Sequence, residues 1–164
     1  MSPMLINFNH YFQSPPLQKS LTLPEIQALL MHLGSGRRVT EITPLSGGFR
    51  SQNYHVCFDK GPQAVLKVST DLQQAKKAIA LQQQLSRFLP VPRVWGDRAT
   101  SGHVFTLMEY VPGDLACSLA KDLSEEAYYA LGHALGTLLS KGHSVQFPGT
   151  GALNAHLEIS DPHS

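Results

Sequence analysis

The sequence predicts an α+β protein: an antiparallel sheet of about five strands with a helix packed on it, then the first helix or helices of a second, helical part. Three observations carry this. Strand-forming segments with period-two patterning follow one another across short turns, which implies an antiparallel meander. Two segments with helical spacing bracket or interrupt that run. After Pro112-Gly113 the period changes to that of a helix and stays there.

In chain order, the first twenty residues carry Pro3, Pro15 and Pro16 without periodicity and read as a loosely ordered arm, 1–20. Thr22-Leu-Pro-Glu25 is a capping box, and Ile26, Leu29, Leu30 and Leu33 follow at helical spacing until Gly34 supplies a stop. Val39–Leu45 leads as a strand into Ser46-Gly-Gly48, and 53–58 alternates well enough for a second. Asp59-Lys-Gly-Pro62 is a turn, and Ala64–Ser69 is rich in strand formers. Ser69, Thr70 or Asp71 can cap the next helix, in which Ala78, Leu81, Leu85 and Phe88 share a face until Pro90-Val-Pro92 ends it. Segments 93–95 and 104–110 read as further strands. From Ser124 a helix begins, with Glu125 and Glu126 at its positive start, Tyr128, Leu131, Leu135 and Leu138 on one face and Lys141 near its end. The tail after Pro148 has no sustained pattern. The expected division is therefore the arm, a lobe over 21–112, and an incomplete helical part over 113–164.

Composition narrows the function classes. With 164 residues the chain has room for one good core. A net charge of +1 advertises neither nucleic acid nor an anionic membrane as partner, so any phosphate recognition must be local. Arg37-Arg38 and Lys76-Lys77 are too short for a nucleic-acid stripe. No apolar run approaches the roughly 20 residues that span a bilayer, and Met1 to His10 does not read as a secretory signal. Cys57 and Cys117 form no CxxC pair, which fits a reducing compartment, so the expected location is cytoplasmic. The eight histidines show no HxH or HExxH spacing, and no metal site is expected from them.

Three constellations can carry chemistry. Ser46, Gly47 and Gly48 form a strand-to-strand turn whose backbone N–H groups can approach an anion, with Ser51 and Asn53 as further donors. Lys67 lies within an apolar strand: Val65, Lys67 and Ser69 face one way and Ala64, Leu66 and Val68 the other, so an apolar surface sits beside one positive charge. Leu107 to Gly113 is a strand running into a turn, where freed backbone groups at Glu109, Tyr110 and Val111 can pair with a planar base. Taken singly, each has an ordinary structural reading as a hairpin turn, an aggregation-blocking edge lysine and a strand terminus.

Together and in this order they resemble the aminoglycoside phosphotransferase family, which includes relatives of choline and fructosamine kinases. The resemblance rests on Leu45-Ser-Gly-Gly48 with Asn53 and Val56, and on Ala64-Val-Leu-Lys-Val68. Further on it rests on Leu89-Pro-Val-Pro-Arg-Val94, Leu107 to Gly113, and Leu131 to Leu139 leading to His143-Ser144, so that it covers about 39–153. It implies the nucleotide-binding N-lobe of a kinase-like fold, with ATP and Mg²⁺ as cofactors and a small-molecule hydroxyl as acceptor. By that resemblance Lys67 holds the ATP phosphates, Ser46, Gly47 and Gly48 cover them, Val65 packs on the base, and backbone groups of Glu109 to Val111 receive adenine.

The sequence departs from the family pattern twice. No glutamate occurs between Asp71 and Leu81 to pair with Lys67; Lys77 stands near the expected place, and Gln73, Gln74 or Asp71 are the remaining tethers. The family's His-Gly-Asp loop and later Mg²⁺-binding aspartate have no counterpart after Leu153. The expectation is a nucleotide-binding lobe that alone transfers nothing, its partner being a missing or separate C-lobe or a second copy. The alternative is a non-catalytic, kinase-derived module that binds a nucleotide or a protein.

Overall fold

Alternation decides the architecture before any long-range contact is considered. In β2 (Ser51–Phe58) Tyr54 and Val56 are buried, in β3 (Ala64–Ser69) Ala64, Leu66 and Val68, and the residues between them are half-exposed. A strand with one such face must cover it, and the cover is α1 (Leu23–His32), whose Ile26 and Leu30 have no exposed surface. The computed structural model describes residues 22–33, 36–45, 51–114 and 123–162. The expected N-terminal arm, the Gly34 stop and the Ser46-Gly47-Gly48 turn lie outside them.

The sheet has five strands in the order β1-β2-β3-β5-β4, with β1 as Val39–Leu45, β4 as Val94–Thr100 and β5 as His103–Glu109. Every pairing is antiparallel. Phe105 and Leu107 extend the buried face across β5. The capping box of α1 forms: one Glu25 carboxylate oxygen accepts from both the backbone N–H and the hydroxyl of Thr22, each at 2.8 Å.

α2 (Leu72–Leu85) starts from Asp71, whose carboxylate accepts from the Gln74 N–H at 3.0 Å. It ends before Phe88, which belongs to the turn that follows and is 54% exposed rather than sharing the helix's apolar face. The strand expected over 93–95 extends to Thr100, where Ser101 (φ 51°) and Gly102 (φ 75°) make a two-residue hairpin loop into β5.

The chain forms two units: residues 1–75 with 94–110, and 76–93 with 111–164. The second contains α3 (Glu125–His143), capped by Ser124 accepting from the Ala127 N–H at 3.3 Å. It also contains a hairpin of β6 (Gly151–Leu153) and β7 (Ile159–Pro162), in a tail for which the sequence suggested no pattern. Among the described residues no helix is long and apolar enough to cross a membrane.

Candidate functional site

Lys67 is placed by register. It stands opposite Asn53 on β2 and Thr106 on β5, while Val65 stands opposite His55 and Met108. Directly opposed residues share a face, so these six side chains line one surface, the one turned away from α1 and the Leu66 core. Lys67, Val65, Asn53, His55 and Met108 are half-exposed, and Thr106 is buried. A lysine with an aliphatic stem on a strand can lie along Val65 and keep its ammonium in solvent. No described residue pairs with the Lys67 ammonium.

Sequence offered Gln73, Gln74 and Asp71 as tethers for Lys67. All three are exposed, and the Asp71 carboxylate is engaged at the start of α2. Asp97, which faces the same side two strands over through Thr106, is roughly 10 Å across the sheet from the lysine strand, beyond ion-pair contact.

The strand end expected to receive a base is built as follows. Glu109 is the last residue of β5 and pairs with Ala64. The Tyr110 N–H reaches the Gln63 carbonyl at 3.4 Å, a long bond that a better acceptor can replace. Val111 is 59% exposed and belongs to the second unit. Tyr110 also stacks on His55, with ring centroids 4.2 Å apart and planes tilted by 30°. His55 Nε2 lies 3.0 Å from Gln63 Oε1 and 4.0 Å from Cys57 Sγ. The structure thus adds His55, Met108 and Thr106 to Val65 and Lys67. His55 was legible in principle: it follows Asn53 by two positions, so a strand puts both on one face.

Among the described residues no group of three or more histidine, cysteine or acidic side chains is placed to hold a metal ion. A shallow groove lined by Glu125, Tyr128, Tyr129, Gly132 and His133 lies on α3 in the second unit, and none of the candidate site residues borders it.

The model of the phosphotransferase enzyme family, APH, matches residues 41–158. The chain belongs to this family. That span takes in most of β1 through α3, hence the lysine strand, the β5 terminus and the capped helix. No curated protein matches the chain in sequence. Among solved structures, the aminoglycoside phosphotransferase APH(4)-Ia superposes with a TM-score of 0.63 at 18% identity, over 85% of this chain and 47% of that one. A thermostable mutant of the same enzyme, in ternary complex with AMP-PNP and hygromycin B, gives 0.60 at 17% identity, over 83% and 45%. A protein provisionally named a fructosamine-3-kinase, from Thermobifida fusca YX-ER1, gives 0.52 at 22%, over 80% and 42%. These likenesses establish the kinase-like α+β fold of the phosphotransferase family. The chain spans about half the length of the solved structures it resembles.

Proposed function

We propose that this phosphotransferase-family chain is the ATP-binding lobe for transfer of the γ-phosphate to a hydroxyl of an aminoglycoside-like or other small metabolite. The observation that carries the reading is the Lys67 face: one ammonium without a described partner, beside the apolar Val65 and Met108, on a strand held in register from both sides. A polyphosphate needs the charge and a purine needs the apolar surface. The AMP-PNP complex of the structurally similar APH(4)-Ia mutant supports a nucleotide as the ligand.

In this reading Lys67 neutralises phosphate charge, Val65 contacts the base, and Ser46, Gly47 and Gly48 cover the phosphates from a turn outside the described residues. Backbone groups of Glu109, Tyr110 and Val111 receive the base edge, and the Tyr110 N–H gives up its long bond to Gln63 to do so. Mg²⁺ would supply charge neutralisation when ATP is bound. No described residue tethers Lys67, and one Asp71 carboxylate oxygen is engaged at the start of α2.

That last point favours a second reading, a kinase-derived module that binds nucleotide and transfers nothing. Thermal unfolding with ATP–Mg²⁺ tests the site common to both. A ligand at 100 times its Kd adds about 2.7 kcal/mol, so wild type should melt measurably higher. Lys67→Ala should lose the shift. No shift, or an equal one in Lys67→Ala, removes the site. Incubation with γ-labelled ATP and an aminoglycoside or a fructosamine separates the readings: label on the acceptor supports transfer, and binding without labelling supports the module.

A further inference from the structure

Two rings meet across a strand that separates them. His55 lies on β2, Tyr110 directly follows β5, and β3 runs between these strands. Adjacent strands lie about 4.8 Å apart, so backbones two strands apart stand roughly 10 Å from one another. The ring centroids are nevertheless 4.2 Å apart, with planes tilted by 30°. Both side chains therefore lean inward and meet over β3. In the register His55 is level with Val65, and the Tyr110 N–H reaches the carbonyl of Gln63, two residues before Val65. The ring pair thus bridges the Lys67 face at its Val65 end.

Gln63 holds both halves of the bridge. Its side-chain oxygen lies 3.0 Å from His55 Nε2 and can only accept, so that nitrogen donates. Its backbone carbonyl accepts from the Tyr110 N–H at 3.4 Å. The sheet's packing does not require this arrangement. His55 and Tyr110 are half-exposed, Gln63 is exposed, and the buried core lies on the opposite face with Leu66.

We propose that the His55–Tyr110 bridge is an autoinhibitory contact that occupies the place over Val65 which a purine base needs. The proposal rests on the nucleotide reading of the Lys67 face. A nucleotide then binds only those molecules in which the rings have parted, and its apparent affinity is reduced by the fraction that is closed. Opening and binding are coupled through Tyr110. Parting the rings frees its backbone, and the N–H turns from Gln63 to the base edge, while the flat base gives His55 a new partner. The sign of the effect separates the bridge from the rest of the site: Lys67→Ala loses nucleotide, whereas loss of either ring tightens it.

Calorimetric titration of the full chain with ATP–Mg²⁺ reads this sign. His55→Ala and Tyr110→Ala should each bind about three- to tenfold tighter than wild type, the gain expected when a ring pair of ordinary strength no longer competes. His55→Phe, which keeps a ring against Tyr110, should stay near wild type. Gln63→Ala, at an exposed side chain, loses only the bond to His55 and should tighten binding less, which keeps the test open should a ring variant fail to fold. The His55 ring-proton resonance gives a second readout. The Tyr110 ring should displace it in the free protein, Tyr110→Ala should remove the displacement, and saturating ATP should move it the same way. Equal or weaker binding by the alanine variants overturns the bridge as an obstacle and leaves the nucleotide site standing. A His55 resonance indifferent to Tyr110→Ala overturns the bridge itself. No binding by wild type or any variant removes the nucleotide reading, and this inference with it.

Discussion

At the scale of single residues, the entry into the sheet rests on Gln27. Its amide donates to the Arg37 carbonyl at 3.1 Å and accepts from the Val39 N–H at 2.6 Å, tying α1 to the first residue of β1. Beside it the Arg37 guanidinium sits 5.5 Å from the Phe58 ring and 5.6 Å from the Trp95 ring, which joins the ends of β2 and β4. Gln27→Leu removes both bonds from partly buried backbone groups, and each orphaned group costs about 1–3 kcal/mol. The urea midpoint should fall with an unchanged slope, and Gln27→Glu, which keeps the acceptor but loses the donor, should fall less. A midpoint within error of wild type would show that water replaces the amide. Nothing in the sequence marks Gln27, because its partners are backbone groups ten and twelve positions away. Lys67 is the opposite case: alternation alone put it on the face away from Leu66, and the register confirms that orientation. Its tether was not legible, since Asp71 could equally cap a helix, and the cap is what forms.

Elements were legible in proportion to their length and periodicity. β1 and β3 begin and end where strand-forming residues do, and α1 follows its capping box. The β4–β5 hairpin was harder to see because its loop holds Ser101 at positive φ, a place where sequence leads one to expect Asn or Gly. β6 has only three residues, too few for alternation to register. The start of α3 was clear from Ser124, Glu125 and Glu126, and it carries a pH dependence. The Glu126 carboxyl is held below the usual carboxylate range by its backbone N–H and then by the Ser124 hydroxyl. A depressed folded-state value means that this contribution is present above the unfolded value of 4.5 and is lost as pH falls through the folded one. Acidification should therefore fray the first turn of α3, and Glu126→Gln should flatten that part of the helicity–pH curve. Ser124→Ala should remove the cap at about 1 kcal/mol of helix stability and weaken the same pH response. An unchanged titration in both variants would assign the response to another carboxylate.

For the molecule as a whole, the distribution of buried side chains matters more than their number. Every buried hydrophobic residue described, from Ile26 through Leu107, belongs to the unit built on the five-stranded sheet. In the other unit α3 holds its shape through its cap and backbone hydrogen bonds, with no described apolar side chain buried. Helical segments without tertiary burial are marginal in water, while amides of β2, β3 and β5 open only with the core. Hydrogen exchange should therefore show two tiers, with α3 amides exchanging orders of magnitude faster than those of Leu66 and Leu107 in dilute protein. Leu30→Ala, at a side chain with no exposed surface, should cost about 2–5 kcal/mol and lower only the slow tier. Equal protection of α3 and β3 in dilute wild type would mean that the second unit has a stabilising core of its own.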